Sequence, residues 1–279
     1  MLNRFLIALA FFAPALVAAE VSCDDKFQMV CIETVQRGNS VEFYAENRYA
    51  LLPVTVNIEL EVQNLNLPPK DASPFVLTGK VRVPLFTLSQ RQKNRAWSYR
   101  YTFTWSRGDI TARHDDRQAY RLPFAQGQAF TVGQSCDGRF SHIGPHRYAI
   151  DFNMPVGTPV HAARDGIVVD VKDDSKTGGA GQEYQDYGNY VIIQHADRTL
   201  AQYFHLKQGG ARVRLGDKVR VGMLIGFSGN TGQSTGPHLH FDVVRGSPTT
   251  KSETLPFRFA TSQGPSRCPQ QGTTLQAHD

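Results

Sequence analysis

Val54-Thr55-Val56-Asn57-Ile58-Glu59-Leu60-Glu61-Val62-Gln63 decides the fold class, because apolar and polar residues alternate along it without a break. Successive side chains leave a strand on opposite faces, so a period of two is the mark of a half-buried strand. The pattern returns in Trp97, Tyr99, Tyr101, Phe103 and Trp105, which alternate with Ser98, Arg100, Thr102 and Thr104. Each such strand has one wet and one dry face. The segment from about 21 to 110 is therefore expected to form two packed antiparallel sheets, a sandwich. Pro68-Pro69 and the stretch from Asp71 to Pro74 punctuate it as loops. The aromatic stripe could be a sugar-stacking platform, but a sandwich core explains it more economically.

Working outward, residues 106 to 120 carry mixed charge (Arg107, Asp109, Arg113, Asp115, Asp116, Arg117) and little apolar pattern, as a connector would. From about 121 the composition changes: seven of the nine histidines lie between His142 and His240. Strand-like runs continue there in Gly166-Ile167-Val168-Val169, in Tyr190-Val191-Ile192-Ile193 and from Leu239 to Val244. No long helical periodicity, internal repeat or low-complexity tract is evident. The expectation is mainly β: an accessory sandwich over 20–110, a connector over 111–120, a small antiparallel β domain over 121–265 and a tail over 266–279.

The first nineteen residues read as an export signal. Arg4 supplies the positive start, Phe5 to Phe12 form a short apolar core, and Val17-Ala18-Ala19 offers a small-residue cleavage site. That run is too short to favour a membrane span, and no later run reaches about eighteen apolar residues. Cys23 raises a lipoprotein as the rival, but Glu20-Val21-Ser22 before it is not the small, apolar context of lipid attachment. A free exported protein, periplasmic or secreted, is favoured. The net charge of +5 suits an anionic envelope, yet ordinary solubilising charge explains it equally well, and nothing points to nucleic acid. Four cysteines in an oxidising compartment suggest two disulfides. The preferred pairing is Cys23 with Cys31 and Cys136 with Cys268, one of three possible connectivities.

The chemistry-bearing stretch is Gly236-Pro237-His238-Leu239-His240-Phe241-Asp242. On a strand His238 and His240 share a face while Leu239, Phe241 and Val243 pack behind, with the two histidine Cα atoms roughly 6–7 Å apart. Asp151 is a carboxylate inside the apolar run Tyr148-Ala149-Ile150-Asp151-Phe152, and a buried carboxylate needs a partner, most naturally a cation. Gln202-Tyr203-Phe204-His205-Leu206 holds a third strand-like histidine. Two histidines and a carboxylate, with water in the fourth position, make an open zinc site that acidifies water to a pKa of about 7 and polarises a carbonyl. No H-E-x-x-H occurs, so the base must be a histidine, and His205 and His238 remain for that role. Gly229 and Gly232 need turn geometry, and the backbone of Asn230, Thr231 and Gly232 is a candidate to pair with substrate. His195 is expected at a hairpin tip and His161 facing solvent or a loop, neither on the metal.

The order H…D…(Y-x-H-L)…H-x-H, with Gly157-Thr158-Pro159-Val160 after the aspartate and Ser228-Gly229-Asn230-Thr231-Gly232-Gln233-Ser234-Thr235-Gly236-Pro237-His238-Leu239-His240-Phe241 at the end, resembles the lysostaphin/LytM zinc metallopeptidases over roughly 121–260. The resemblance implies a small antiparallel β metallopeptidase domain with its site in a groove between loops. It implies one Zn2+ per chain held by a histidine, Asp151 and His240, with His238 and His205 assisting the water. The chain departs from the family's H-x-x-x-D motif, because position 147 is Arg147. His142 and His146 remain as first ligand. His146 lies five residues before Asp151 and by strand parity points away, whereas Ile143-Gly144-Pro145 could fold His142 back, and some relatives carry a similar Ser-His-x-Gly sequence upstream. His142 is favoured.

The implied activity is zinc-dependent hydrolysis of peptide bonds in bacterial peptidoglycan. The rival is a non-catalytic wall-binding protein that activates other hydrolases, as degenerate relatives do; ligand retention tells the two apart. A third reading makes the sandwich a sugar- or protein-binding module, which exposure of the Trp97–Trp105 face would support and burial would undercut. The sandwich is also expected to restrain the groove, so that removing residues 20–110 raises turnover.

Overall fold

The computed structural model describes residues 6–9, 18–69 and 72–278. The leader residues 1–5 and 10–17, including Arg4 and half of the Phe5–Phe12 run, and Asp71 of the expected loop lie outside the described residues. The chain divides into two compact units: residues through Ile110 with Gly246–Lys251, and Thr111–Arg245 with Ser252–Asp279.

The first unit carries β1 (Leu6–Leu9), β2 (Ala18–Cys23), β3 (Val30–Arg37), β4 (Ser40–Asn47), β5 (Val54–Gln63), β6 (Leu65–Asn66), β7 (Phe75–Leu77), β8 (Val81–Gln90) and β9 (Ser98–Arg107). They form two sheets, β1-β9-β5-β7 and β2-β3-β4-β8-β6, paired antiparallel. The alternating stretch that opened the sequence is β5, zipped along its whole length to β9 from Val54↔Arg107 to Gln63↔Ser98. Val54, Val56 and Ile58 from one sheet meet Val30, Ile32, Val41 and Phe43 from the other in one core, so the sandwich is as expected. Trp97, Tyr99 and Tyr101 are in that core and Phe103 and Trp105 pack against it, which removes the basis for an exposed aromatic platform. The Cys23–Cys31 disulfide joins neighbouring strands β2 and β3.

The second unit carries β10 (Ala119–Tyr120), β11 (Ala129–Gln134), β12 (Ile150–Asn153), β13 (Pro159–His161), β14 (Gly166–Lys172), β15 (Gly178–Gly179), β16 (Asn189–Gln194), β17 (Leu200–Leu206), β18 (Lys218–Val219), β19 (Leu224–Phe227), β20 (Gly232–Gln233), β21 (His238–Arg245), β22 (Glu253–Thr254), β23 (Arg258–Phe259) and β24 (Thr274–Gln276). Its main sheet runs β18-β14-β16-β17-β21-β12-β11-β24, with β22 also on β21. Among the described residues the only helices are the short 3-10 turns Gly144–His146 and Gln182–Tyr187. One face of the central strands is dry: Ile150 and Phe152, Ala201 and Tyr203, and Leu239, Phe241 and Val243 form the core. That core takes in Tyr120 and Ala277, so buried contacts of this unit reach both sides of the 121–265 span. The Cys136–Cys268 disulfide closes a separation of 132 residues and ties the final segment to the segment before His142. No helix among the described residues is long and apolar enough to cross a membrane; this says nothing of a β-barrel.

Candidate active site

Strand parity builds the other face of the same sheet. With Leu239 and Phe241 committed to the core, His238, His240 and Asp242 must point the opposite way. The antiparallel register sets Asp151 across from His240 and Asn153 across from His238. Phe204 and Gln202 of β17 flank His240 and Asp242 on the other side.

His142 arrives from outside the sheet. It sits in the loop before the Gly144–His146 turn, fully buried, and its Nδ1 lies 2.9 Å from the Ser135 carbonyl. A carbonyl only accepts, so Nδ1 carries the proton and Nε2 presents its lone pair. That Nε2 is 3.2 Å from Asp151 Oδ1 and has no hydrogen-bond partner of its own. His240 Nδ1 is 2.9 Å from the same oxygen, while His240 Nε2 is 3.3 Å from Asp242 Oδ2. His142, Asp151 and His240 thus bring one ligand atom each to within 4.8 Å of one another. His146, the alternative first ligand, belongs to the 3-10 turn and is not in this group.

These residues fit a zinc ion. Two imidazole nitrogens and a carboxylate oxygen converge in a buried place, and lone pairs so arranged repel one another unless a cation or protons lie between them. Without a metal the protons do this. Burial opposes charge on His240, but the hydrogen bonds to Asp151 and Asp242 outweigh it and push His240 up to about 10. Asp151 responds in kind: burial would raise it, and the close approach of the His142 and His240 rings holds it well below the usual carboxylate range. Its second oxygen accepts a 3.1 Å hydrogen bond from Gln134 Nε2.

His205 and His238 stand beside this group with ring centroids 4.5 Å apart. His238 Nδ1 is 2.8 Å from the Gly236 carbonyl and His205 Nδ1 is 2.7 Å from the Thr231 carbonyl. Both Nδ1 atoms therefore donate and both Nε2 atoms are left as acceptors. His238 Nε2 lies 3.9 Å from Asp151 Oδ1. His205 reaches the site through a β-bulge: Phe204 pairs with Tyr190 and Leu206 with Asn189, so His205 is the extra residue. Its φ of 65° is the left-handed region, which costs a residue with a β-carbon about 1–2 kcal/mol. The bulge turns inward a side chain that parity would have sent to the core. Burial first, and then the neighbouring His238 and His240, push His205 down to about 3.

Asn230, Thr231 and Gly232 make internal bonds. Thr231 Oγ1 donates to the Leu206 carbonyl and accepts from Asn189 N–H, and the Thr231 carbonyl holds His205. The Gly232 N–H donates to the Thr177 carbonyl, and with φ of 80° its α-carbon faces Gly188 too closely for a β-carbon. Asn230 Oδ1 accepts from Ser234 Oγ, which also contacts His238 Nδ1 at 3.1 Å. These groups brace the two histidines; the Thr231 carbonyl and Gly232 N–H have partners within the chain. His195 follows β16 but is buried beside Tyr120 with Nδ1 on the Asp165 carbonyl, and it is not in the three-residue cluster. His161 ends β13 half-buried and is likewise outside it. Sequence reasoning missed Gln134, Ser135, Ser234 and Asp242 as supports of the site. Of these, only Asp242, two residues along the strand from His240, carried a signal that parity could have read.

A groove of about 960 Å³ opens beside Asp151 and His238, walled by Gln134, Phe140 and Pro237.

Residues 145–252 match the model described as peptidase family M23. Asp151, His205, His238 and His240 fall inside that span and His142 three residues before it. The chain is 43% identical over 107 residues to the peptidoglycan DD-endopeptidase ShyA of Vibrio cholerae serotype O1, covering 38% of this chain and 22% of that protein. It is 38% identical over 122 residues to the glycyl-glycine endopeptidase ALE-1 of Staphylococcus capitis, covering 43% of this chain and 31% of that protein. The chain thus spans less than a third of the length of these curated relatives. Among solved structures it is similar to the catalytic domain, in mutant form, of the prophage-encoded M23 protein EnpA from Enterococcus faecalis, with 32% identity, 46% of this chain and 92% of that chain covered, and a TM-score of 0.35.

Proposed function

Residues 145–252 belong to peptidase family M23, and from that premise we propose that this protein is an exported zinc-dependent endopeptidase that hydrolyses peptide bonds in bacterial peptidoglycan. The observation that carries the reading is the convergence of His142 Nε2, Asp151 Oδ1 and His240 Nδ1 beside two histidines whose Nε2 atoms are free to accept a proton. Relatives named as a peptidoglycan DD-endopeptidase and as a glycyl-glycine endopeptidase support the substrate class. Two disulfides favour an oxidising compartment, as export would supply.

His142, Asp151 and His240 would hold the zinc, which supplies Lewis-acid polarisation of the scissile carbonyl and acidification of the attacking water. Everything else falls to side chains of the chain. His238, its Nδ1 proton fixed on the Gly236 carbonyl, takes a proton from the attacking water at Nε2 and returns it to the leaving nitrogen. His205 holds a proton poorly because burial pushes it down to about 3, so it acts as a neutral acceptor that orients the water. The peptide lies in the groove beside Asp151 and His238. Retention of all three ligand types favours an enzyme over a regulator that has lost them.

The test is turnover of a purified cross-linked muropeptide by the wild type and by His238→Ala, with zinc content measured on both. Loss of turnover at full zinc content supports the reading. Equal turnover by the two proteins removes His238 from the mechanism.

A further inference from the structure

Asp242 is 1% exposed, sits on β21 two residues beyond His240, and takes no part in the proton transfers proposed above. A buried carboxylate is expensive unless a bonded partner offsets it. Its imidazole neighbour is His240: Asp242 Oδ2 lies 3.3 Å from His240 Nε2, and Oδ1 has no hydrogen-bond partner. Strand parity explains the meeting, since both residues face away from the core formed by Leu239, Phe241 and Val243. The opposite nitrogen of the same ring, Nδ1, points at Asp151 Oδ1 from 2.9 Å. A carboxylate can only accept at neutral pH, so Asp242 calls for a proton on His240 Nε2, and the proton that Nδ1 shares with Asp151 in the metal-free ring is the one a metal would displace, leaving a lone pair there. That is the tautomer a metal ligand at Nδ1 requires, and the other tautomer would present N–H to the ion.

We infer that Asp242 is a positioning residue that fixes His240 in the Nε2–H tautomer and aims Nδ1 at the metal position. The assignment rests on His240 being a zinc ligand, as proposed above. A carboxylate behind a ligating imidazole orients the ring and raises its basicity, and losing such a partner weakens metal binding about 10–100-fold. Gln134 makes the equivalent contact behind Asp151, so each ligand of the group is held from its far side: His142 by the Ser135 carbonyl, Asp151 by Gln134, His240 by Asp242.

The experiment measures the zinc dissociation constant by competition with a chromophoric chelator for the wild type, Asp242→Asn and Asp242→Glu, together with the His240 tautomer from nitrogen–proton correlations of histidine-labelled, zinc-loaded wild type. The expected result is an Nε2–H signal for His240, binding weakened about 10–100-fold in Asp242→Asn, and recovery of most of that loss in Asp242→Glu. Wild-type affinity in Asp242→Asn overturns the assignment while leaving the proposed function standing. An Nδ1–H tautomer for His240 in the zinc-loaded wild type overturns it too, and needs no variant to fold. If the wild type binds no zinc, the parent reading falls and this one with it.

Discussion

His205 and His238 face each other with ring centroids 4.5 Å apart, and each spends its Nδ1 proton on a backbone carbonyl, of Thr231 and of Gly236. Two imidazoles locked in this tautomer present two Nε2 acceptors to the same space. A proton lost by water there has a place to go.

The pair is therefore expected to divide the labour unequally. His238→Gln should lose about 10²–10⁴-fold in kcat, the typical worth of a general base. His205→Gln should lose about 2–10-fold, the equivalent of one neutral hydrogen bond. Steady-state kinetics with zinc quantified on each variant checks this; matched wild-type rates would remove both histidines from the reaction.

The proposed first ligand, His142, is favoured by burial and not by spacing. His142→Ala should abolish stoichiometric zinc binding, because His142 is fully buried with Nε2 on Asp151, whereas His146→Ala should retain it. Metal analysis after dialysis distinguishes them. Zinc kept by His142→Ala and lost by His146→Ala would reverse the assignment.

Zinc uptake by the metal-free protein should release a proton. His240 is pushed up to about 10 by Asp151 and Asp242 against the opposing effect of burial, so at neutral pH its ring is protonated and must give up that proton to bind metal. The sign follows: through this ring, apparent zinc affinity rises with pH up to about 10. Titration calorimetry in buffers of different ionisation enthalpy reads the proton count. A count of zero at pH 7 would contradict a protonated His240.

Acid should weaken the second unit through His195. Burial pushes this ring down to about 4 from an ordinary 6.5. Its folded pKa is depressed, so the neutral ring's contribution is fully present above pH 6.5 and is lost as pH falls toward 4, roughly 3 kcal/mol in all. Denaturant unfolding across that range should show a steeper decline in the wild type than in His195→Gln. Parallel curves would mean that His195 titrates alike folded and unfolded.

The cross-link between Cys136 and Cys268 spans 132 residues, for which the chain-entropy model gives about 5 kcal/mol. Since Ser135, next to Cys136, holds His142 through its carbonyl, the double Cys→Ser variant should lose zinc affinity as well as unfolding midpoint. Unchanged zinc affinity in that variant would show that the Ser135 carbonyl keeps its place without the bridge.

Much of this was legible in the sequence wherever period two holds. The Val54–Gln63 alternation became β5 of a sandwich, and His238-x-His240 became one wet face of β21, because a regular strand maps sequence parity directly onto space. What parity could not show is where it breaks. His205 faces the site only because a bulge inserts it, and Gln134 reaches Asp151 only because a second bulge at Gly133 shifts the register between Val132 and Gln134. Nor does a local pattern report long-range closure: the Ser135 carbonyl meets His142 through a loop, and Thr231 bonds Leu206 across 25 positions of sequence. The burial of His195 was hidden for a similar reason, since a hairpin-tip residue is exposed or covered according to what packs over it, here Tyr120.

The most direct test of the account is digestion of purified peptidoglycan by the disulfide-bonded protein, with and without a zinc chelator, the products read by mass. The account predicts release of peptides shortened at one kind of amide bond, abolished by the chelator and restored by added zinc. Intact peptidoglycan in the presence of a protein carrying about one zinc per chain would contradict it.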